Sequence, residues 1–373
     1  MIIITTQCFF PNIGGIESLM TGMAESLGEI GKEVLVLADG KYSFDDNKNK
    51  KYSIKRFDGW KPLRRIRKAR YLNKICEEEY VEIIYADSWK SIEYLNKKNK
   101  KILVLAHGTE IPKQNWTSLI NSIRFKKKRI INSYKYVHKI IANSNYTKDL
   151  MQASLKIDDK KIQIIHPGID VYKNSISDEV KNHVKNIIGN KYPVITTLAR
   201  VEKRKGHLFI INAIYELKNK FPNMIYLIAG KGPYLDKIRA LVKRLNLENY
   251  IIFLGWITEP EKSAILSSSD IFAMTPITSG ESVEGFGMAF IDAAFNGVAS
   301  LGSDSGGIKD AVIDGQTGII CKTNNQSDIT SKLEKLLDSK ELRDELGANG
   351  NKLAQANYSW NKKIYEYLKA ASL

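Results

Sequence analysis

The stretch "HPGIDVYKNSISDEVKNHVKNIIGNKYPVITTLAR", His166–Arg200, is where the chain changes pace. On its N-terminal side, strand-length apolar runs alternate with longer amphipathic ones. The runs are "MIIITT" at Met1, "EVLVLAD" at Glu33, "EIIYAD" at Glu82, "KILVLAHG" at Lys101, "KIIANS" at Lys139 and "QIIHPG" at Gln163. The quoted stretch breaks that rhythm, and "VITTLAR" starts a fresh series. "MIYLIAGKG" at Met224, "IIFLG" at Ile251, "DIFAMTP" at Asp270 and "GVASLGSD" at Gly297 continue it. Between most runs lie helical patterns such as "IESLMTGMAESLGEIG" and "PYLDKIRALVKRLNLE". Such alternation predicts α/β architecture: parallel sheets covered by helices on both faces. The interruption predicts two of them, with a boundary near Gly168–Asp170. In open α/β sheets ligands gather at the C-terminal ends of the strands. Two such domains with their strand ends facing a shared cleft would put the chemistry on the loops after each strand.

Composition bounds the partners. The 373 residues are long for one domain and comfortable for two. No apolar run reaches the roughly 18 residues that span a bilayer. The start has too short an apolar run, with no basic residue before it, for a secretory signal. Cys8, Cys76 and Cys321 lie far apart and make no CxxC or zinc spacing. These features predict a reduced cytosolic chain. A formal net charge of +16 favours an anionic partner, whether phosphorylated small molecule, anionic lipid or nucleic acid.

No G-x-x-x-x-G-K-[ST] occurs, and "GKGPYL" at Gly230 lacks the third glycine of a dinucleotide fingerprint. Gly14 and Gly15 follow the first strand and precede a helix. They read either as an anion site at a helix N-terminus or as a tight turn. In "LARVEKRKGH", Arg200 sits at a strand end with Lys205 just beyond it. Two fixed cations there suit a diphosphate, or form a solvated charge run. His107 closes an apolar strand before Gly108. It is either a cleft residue or a structural histidine bonded to backbone. His138, His166, His183 and His207 show no HExxH or i,i+4 pairing, and there is no Asp-x-Asp, so no metal site is expected.

In "TSGESVEGFGMAFIDAAFNGV" from Thr278, Glu284 and Asp292 stand eight positions apart. Gly285 and Gly287 precede a predicted helix that Gly297 ends. Glu284 falls before the helix and Asp292 more than one turn inside it, a rise of about 1.5 Å per residue. Retaining hydrolases hold two carboxyls only about 5–5.5 Å apart. Carboxylates at different depths of a loop–helix unit instead grip two ends of one long ligand, with helix N–H groups free for a phosphate between them. A nucleotide-sugar has that layout.

These residues resemble a known family. "EGFGMAFID" is similar to the E-x7-E signature of retaining GT-B glycosyltransferases of family 4. The N-terminal "GG" loop, "HGTE", "PGID", "LAR…KG", "AGKGP", "FLGW" and the closing "YSWNKKIYEYLK" match that family in order. "HGTE" with "SVEGFGMAFIDA" is especially similar to bacterial phosphatidylinositol mannosyltransferases. The resemblance implies two Rossmann-like domains, 1–169 on the acceptor side and 170–357 for the donor, with a helix over 358–373 crossing back. It implies that Arg200 and Lys205 hold the donor diphosphate and that Glu284 contacts sugar hydroxyls. Phe286, Gly287 and Met288 would offer amides to sugar and phosphates, and Asp292 would bind the ribose. Gly14, Gly15, Gly230 and Gly255 complete the implied donor set, and His107 lies by the transferred sugar. The family carries Glu where this chain has Asp292, a side chain one methylene shorter.

The expectation is therefore a metal-independent hexosyltransferase. It would use a GDP- or UDP-linked sugar, retain anomeric configuration and need no cofactor. A sugar-nucleotide epimerase or phosphorylase on the same fold is the alternative enzyme. A nucleic-acid-binding protein is the alternative outside enzymes. Its basic runs, "RFKKKR" and "KPLRRIRKAR", are interleaved with aliphatic residues, not with a stacking series of aromatics, so no nucleic acid is expected. Those runs suggest a membrane-associated acceptor and a peripheral position on the cytoplasmic membrane face. Leu63, Ile66, Ala69 and Leu72 recur every three residues, with Arg64, Arg65, Arg67 and Lys68 between them. Leu119, Ile123, Ile130 and Tyr134 make a second stripe beside Arg124, Lys126, Lys127, Lys128 and Arg129. Basic amphipathic helices of this kind either lie on an anionic bilayer or face a core with a solvated charged side.

Overall fold

The computed structural model describes residues 1–42, 46, 50–96, 100–112, 120–169, 176–278 and 283–372. The chain divides into two compact units, Met1–Asp170 with Tyr358–Leu373, and Val171–Asn357.

The first unit runs β1 (Ile2–Thr6), α1 (Gly15–Glu29), β2 (Val34–Asp39), β3 (Ser53–Phe57), α2 (Lys61–Glu78), β4 (Ile83–Ala86), β5 (Ile102–Ala106), α3 (Ile120–Tyr134), β6 (Lys139–Ala142), α4 (Asn145–Leu155) and β7 (Ile162–Ile164). Its described strands form one parallel sheet ordered β3-β2-β1-β4-β5-β6-β7. The second unit runs α5 (Asp178–Ile188), β8 (Val194–Leu198), α6 (His207–Leu217), β9 (Ile225–Ala229), α7 (Leu235–Arg244), β10 (Ile251–Gly255), α8 (Glu259–Ser267), β11 (Ile271–Ala273), α9 (Met288–Phe295), β12 (Ala299–Ser303), α10 (Ile308–Ala311), β13 (Gly318–Cys321), α11 (Gln326–Asp338) and α12 (Lys340–Asn357). Its sheet is also parallel, ordered β10-β9-β8-β11-β12-β13. Both orders reverse direction once, between β1 and β4 and between β8 and β11. Loops leaving neighbouring strands there part to opposite faces and open a crevice.

The central strands are buried on both faces, which is why β5 and β9 read as unbroken apolar runs and β1 opens on three isoleucines. Helix α13 (Trp360–Ala370) belongs to the first unit. Its Trp360 lies where a Cβ at Gly22 or Gly168 would collide with the indole, so both glycines make room for that ring. The Tyr85 hydroxyl donates to the Tyr367 carbonyl at 2.9 Å. Buried Trp360, Ile364 and Tyr367 tie the last helix to α1 and the sheet.

The two basic stripes fold differently from a membrane-facing pattern. On α2 the buried side is Lys68, Ala69, Leu72 and Ile75, while Leu63 stays 55% exposed. Lys68 is only 1% exposed: its ammonium donates to the Thr6 carbonyl at 2.7 Å and to Asp39 Oδ1 at 2.8 Å. Arg64 also pairs with Asp39, at 2.8 Å, and Arg65 lies 3.8 Å from Glu93. Three of the basic residues expected at a bilayer thus neutralise carboxylates of their own unit, because a buried charge needs a partner. On α3, Ile130 and Tyr134 enter the core and Arg129 grips Glu93 with two bonds, at 2.6 and 2.9 Å. Leu119 lies outside the described residues, as do the side chains of Ile123 and Arg124. The outer side of α2 and its approach carry Trp60, 71% exposed, with Lys61, Leu63, Arg67, Arg70 and Lys74. No helix among the described residues is long and apolar enough to cross a membrane.

Candidate active site

The loop after β8 is held by its neighbours' backbone. Ala199 N donates to the Ala229 carbonyl at 3.1 Å and Val201 N to the Lys231 carbonyl at 3.0 Å. That crossing needs bare glycines. A Cβ at Gly230, whose φ is +141°, would sit 1.9 Å from the Ala199 carbonyl oxygen. A Cβ at Gly232 would sit 2.3 Å from that of Val201. Gly230 N also donates to the Gly255 carbonyl, at 2.6 Å. Gly230 and Gly255, expected in the donor set, are thus joined to each other, and Gly230 shapes the Arg200 loop.

Past Arg200 a 3₁₀ turn, Lys203–Lys205, ends at Gly206 with φ +78°. A Cβ there would lie 2.0 Å from the Thr275 carbonyl oxygen, and Ile277 N donates to the Arg204 carbonyl at 2.8 Å. The turn after β8 is therefore pinned against the segment leaving β11, across the switch point.

That contact presents Lys205 to Glu284. The ammonium lies 2.5 Å from Glu284 Oε2, and Arg204 NH1 donates to the same oxygen at 3.2 Å. Burial works to raise the Glu284 pKa, but Lys205 and Arg204 outweigh it and hold the carboxyl below its usual range. Glu284 is thus a carboxylate at neutral pH. Its backbone is fixed as well: Gly307 N donates to its carbonyl at 2.9 Å, and a Cβ at Gly306 would approach that oxygen to 2.2 Å.

Gly287, with φ +98°, caps α9 without any side-chain bond, so the first-turn N–H groups are not claimed by a capping side chain. Phe286 is buried, and Phe290 packs edge-on against Phe272 at 5.1 Å. Met288 opens the helix and Gly297, with φ +73°, follows its end. Asp292 faces Lys262 of α8 at 3.2 Å, and Lys262 also meets Glu259 at 2.6 Å. Burial raises the Asp292 pKa and Lys262 offsets only part of that rise. For Lys262 itself burial pulls downward, yet Asp292 and Glu259 win and its pKa rises.

Lys205 and Glu284 are thus brought together, whereas Arg200 stands apart. Its side chain is 74% exposed and pairs with Glu202 at 3.0 Å. Arg204, Glu202 and Lys262 were not singled out by sequence reasoning. Arg204 lies in the basic run beside Lys205, and the spacing "VEKRK" contains Glu202, but nothing in sequence spacing signals Lys262.

The remaining candidates belong to the first unit. Gly15 begins α1, and Gly14 is extended. The Glu17 carboxylate folds back to where a Gly14 Cβ would be, 2.3 Å from it, so this helix start already carries an anion of its own. His107 is buried, and its Nε2 lies 2.9 Å from the Asp87 carbonyl, which can only accept. His107 N donates to Glu110 Oε1 at 2.8 Å. Asp87 in turn accepts from Gln7 N at 2.8 Å and Ser91 Oγ at 2.5 Å. Of the two readings of His107, the backbone-bonded histidine matches this geometry. Among the described residues no set of three or more His, Cys, Asp or Glu side chains converges as metal ligands.

Two family models cover the chain in succession. "Glycosyltransferase Family 4" matches residues 13–173 and "Glycosyl transferases group 1" matches 178–353. The chain is 25% identical to a GDP-mannose-dependent alpha-(1-6)-phosphatidylinositol monomannoside mannosyltransferase of Mycolicibacterium smegmatis, over 97% of this chain and 95% of the relative. It is 23% identical to the N-acetyl-alpha-D-glucosaminyl L-malate synthase of Bacillus anthracis, over 96% of this chain and 94% of that one. Among solved structures, Anabaena Alr3699/HepE in complex with UDP superposes with a TM-score of 0.79 at 18% identity, covering 99% of both chains. At that identity the likeness concerns the fold.

Proposed function

The chain belongs to the GT-B glycosyltransferases that join a family 4 domain to a group 1 domain, enzymes that use nucleotide-sugar donors, and from that premise we propose the finer activity. It moves a hexose from a GDP- or UDP-linked donor to an acceptor hydroxyl and keeps the anomeric configuration. The observation that carries this reading is the cluster of Lys205, Arg204 and Glu284 beside the start of α9, which no side chain caps, at the β8/β11 switch point.

In this reading the donor diphosphate takes Lys205 and Arg200 as counter-ions and the α9 amides as donors. Glu284, already ionised, accepts from sugar hydroxyls, and Asp292 accepts from the ribose. The bond from the sugar's anomeric carbon to the diphosphate breaks while the acceptor oxygen bonds that carbon on the same face. The acceptor's proton passes to the departing phosphate oxygen. Charge grows on the diphosphate as it leaves, so fixed cations lower the barrier more than they tighten the ground state. His107 is proposed beside the transferred sugar on the resemblance alone. No metal is assigned a part.

The acceptor we propose is a lipid headgroup at an anionic membrane surface on the cytoplasmic side. Support comes from the relatives named for phosphatidylinositol monomannoside and from exposed Trp60 and Leu63 next to Lys61, Arg67 and Arg70. An aromatic ring with basic neighbours suits a headgroup layer. A thermal-shift panel of GDP- and UDP-sugars, followed by NMR of the product's anomeric centre, tests the reaction. An inverted anomer overturns the retaining mechanism. Cosedimentation of wild type and of Trp60→Ala/Arg67→Glu/Arg70→Glu with phosphatidylglycerol vesicles at low salt tests the surface. Equal binding by both removes it.

A further inference from the structure

The proposed reaction assigns no contact of its own to Arg204 or to Glu202. Arg204 lies between two carboxylates: its Nε donates to Glu202 Oε2 at 2.9 Å and its NH1 to Glu284 Oε2 at 3.2 Å. Lys205 donates to that same Glu284 oxygen. A guanidinium and an ammonium therefore converge on one atom, and an anion that meets one of them comes within reach of the other. Guanidinium offers five N–H donors in a rigid fork, and these two bonds use two of them.

Glu202 is the second piece. Its Oε2 holds Arg204 and its Oε1 lies 3.0 Å from Arg200 NH1, so one carboxylate brackets both arginines. Glu202 and Arg204 are each 20% exposed, neither sealed in the core nor free in solvent. The backbone fixes the bracket too. Glu202 N donates to the Arg200 carbonyl at 2.8 Å, Lys205 N to the Glu202 carbonyl at 3.0 Å, and Ile277 N to the Arg204 carbonyl. An isolated surface ion pair contributes little and needs no such scaffold. Sharing Glu284 with Lys205 sets this pair apart.

We propose that Arg204 is a donor-binding cation in its own right, directed at the diphosphate of a nucleoside diphosphate, and that Glu202 is the positioning residue that aims it. This rests on the donor reading above and adds to it. Glu284 is the counter-ion of Arg204 and Lys205. A bound diphosphate brings further negative charge to the same two cations and leaves Glu284 to the sugar hydroxyls.

Calorimetric titration of GDP, UDP, GMP and UMP into wild type, Arg204→Gln, Arg204→Lys, Glu202→Gln and Glu202→Asp tests this. For Arg204→Gln the expected result is a loss of about 10- to 100-fold in diphosphate affinity, the usual scale for one charged hydrogen-bond partner. Monophosphate affinity should stay nearly unchanged. Arg204→Lys keeps the charge without the fork and should show the same selective loss, smaller in size; it carries the comparison if the glutamine variant does not fold. Glu202→Gln should weaken diphosphate binding selectively, and Glu202→Asp should recover part of it. Parallel loss of mono- and diphosphate binding marks a structural role and overturns the inference, as does unchanged diphosphate binding in the folded Arg204 variants. If wild type binds neither diphosphate, the donor reading falls and this inference falls with it.

Discussion

Acidification should weaken the second unit through His207, the residue that follows the Lys205–Gly206 corner. His207 opens α6 and is 2% exposed. Its Nδ1 lies 3.3 Å from the Tyr226 hydroxyl, which in turn meets Thr197 at 2.7 Å. Burial, with some help from Lys205 and against a backbone hydrogen bond to Arg200, pushes its pKa down from 6.5 to about 4. The folded state therefore binds this proton less readily than the unfolded chain. Between those two values the unfolded chain holds the proton and the native state does not, so stability rises with pH. The contribution is complete above about pH 6.5 and is lost as pH falls towards 4. At about 1.36 kcal/mol per pKa unit, the whole window is worth about 3 kcal/mol, of which about 2 should be gone by pH 5. Urea unfolding of wild type and His207→Gln, each at pH 7.5 and pH 5.0, reads the difference. The substitution has its own pH-independent cost, and every other group is common to both proteins, so only the difference in pH dependence matters. The wild type should lose about 2 kcal/mol more than the variant on acidification. Equal losses would refute the buried, neutral histidine.

Three further outcomes follow from the donor site. Lys205→Ala should lower kcat by about 10²–10³ and raise the donor KM less, while Arg200→Ala, with its exposed side chain, should cost less; wild-type turnover in the lysine variant at saturating donor would contradict the role. Asp292→Asn should weaken donor binding and leave product configuration unchanged, whereas Glu284→Gln should mainly reduce turnover; the same kinetic signature from both would undo the two-ended grip. Activity should persist in excess chelator, and a loss restored by magnesium or manganese would show that the carboxylates serve a metal.

Both sheets were legible in the chain because their central strands are buried on two faces and so are mostly apolar. The strands that escaped reading lie at sheet edges. β3 spells "SIKRF", with Ser53 and Lys55 exposed, and β13 is the four-residue "GIIC". β3 lacks the continuous apolar pattern of an interior strand, and β13 offers only two large apolar side chains, Ile319 and Ile320. In the site, Glu284, Gly287 and Asp292 stood out because a glycine-headed helix leaves a local pattern. Lys262 did not, since its bond to Asp292 depends on how α8 packs against α9. Arg204 and Lys205 sit in one basic run, and only the backbone bond from Ile277 and the tight contact at Gly206 decide which way the run turns. The α2 stripe shows the same limit. Its period marks a helix and places Ala69 and Leu72 on the buried side, but Leu63 is exposed, and periodicity does not reveal that Asp39 draws Lys68 and Arg64 inward.

The most direct measurement is a crystal structure of the protein with the nucleotide-sugar that stabilises it most. The central claim places the diphosphate within hydrogen-bonding distance of Lys205 Nζ, the sugar hydroxyls on Glu284 and the ribose hydroxyls on Asp292, along the start of α9. A nucleotide-sugar seated elsewhere, with Lys205 still paired to Glu284 at 2.5 Å, would contradict it.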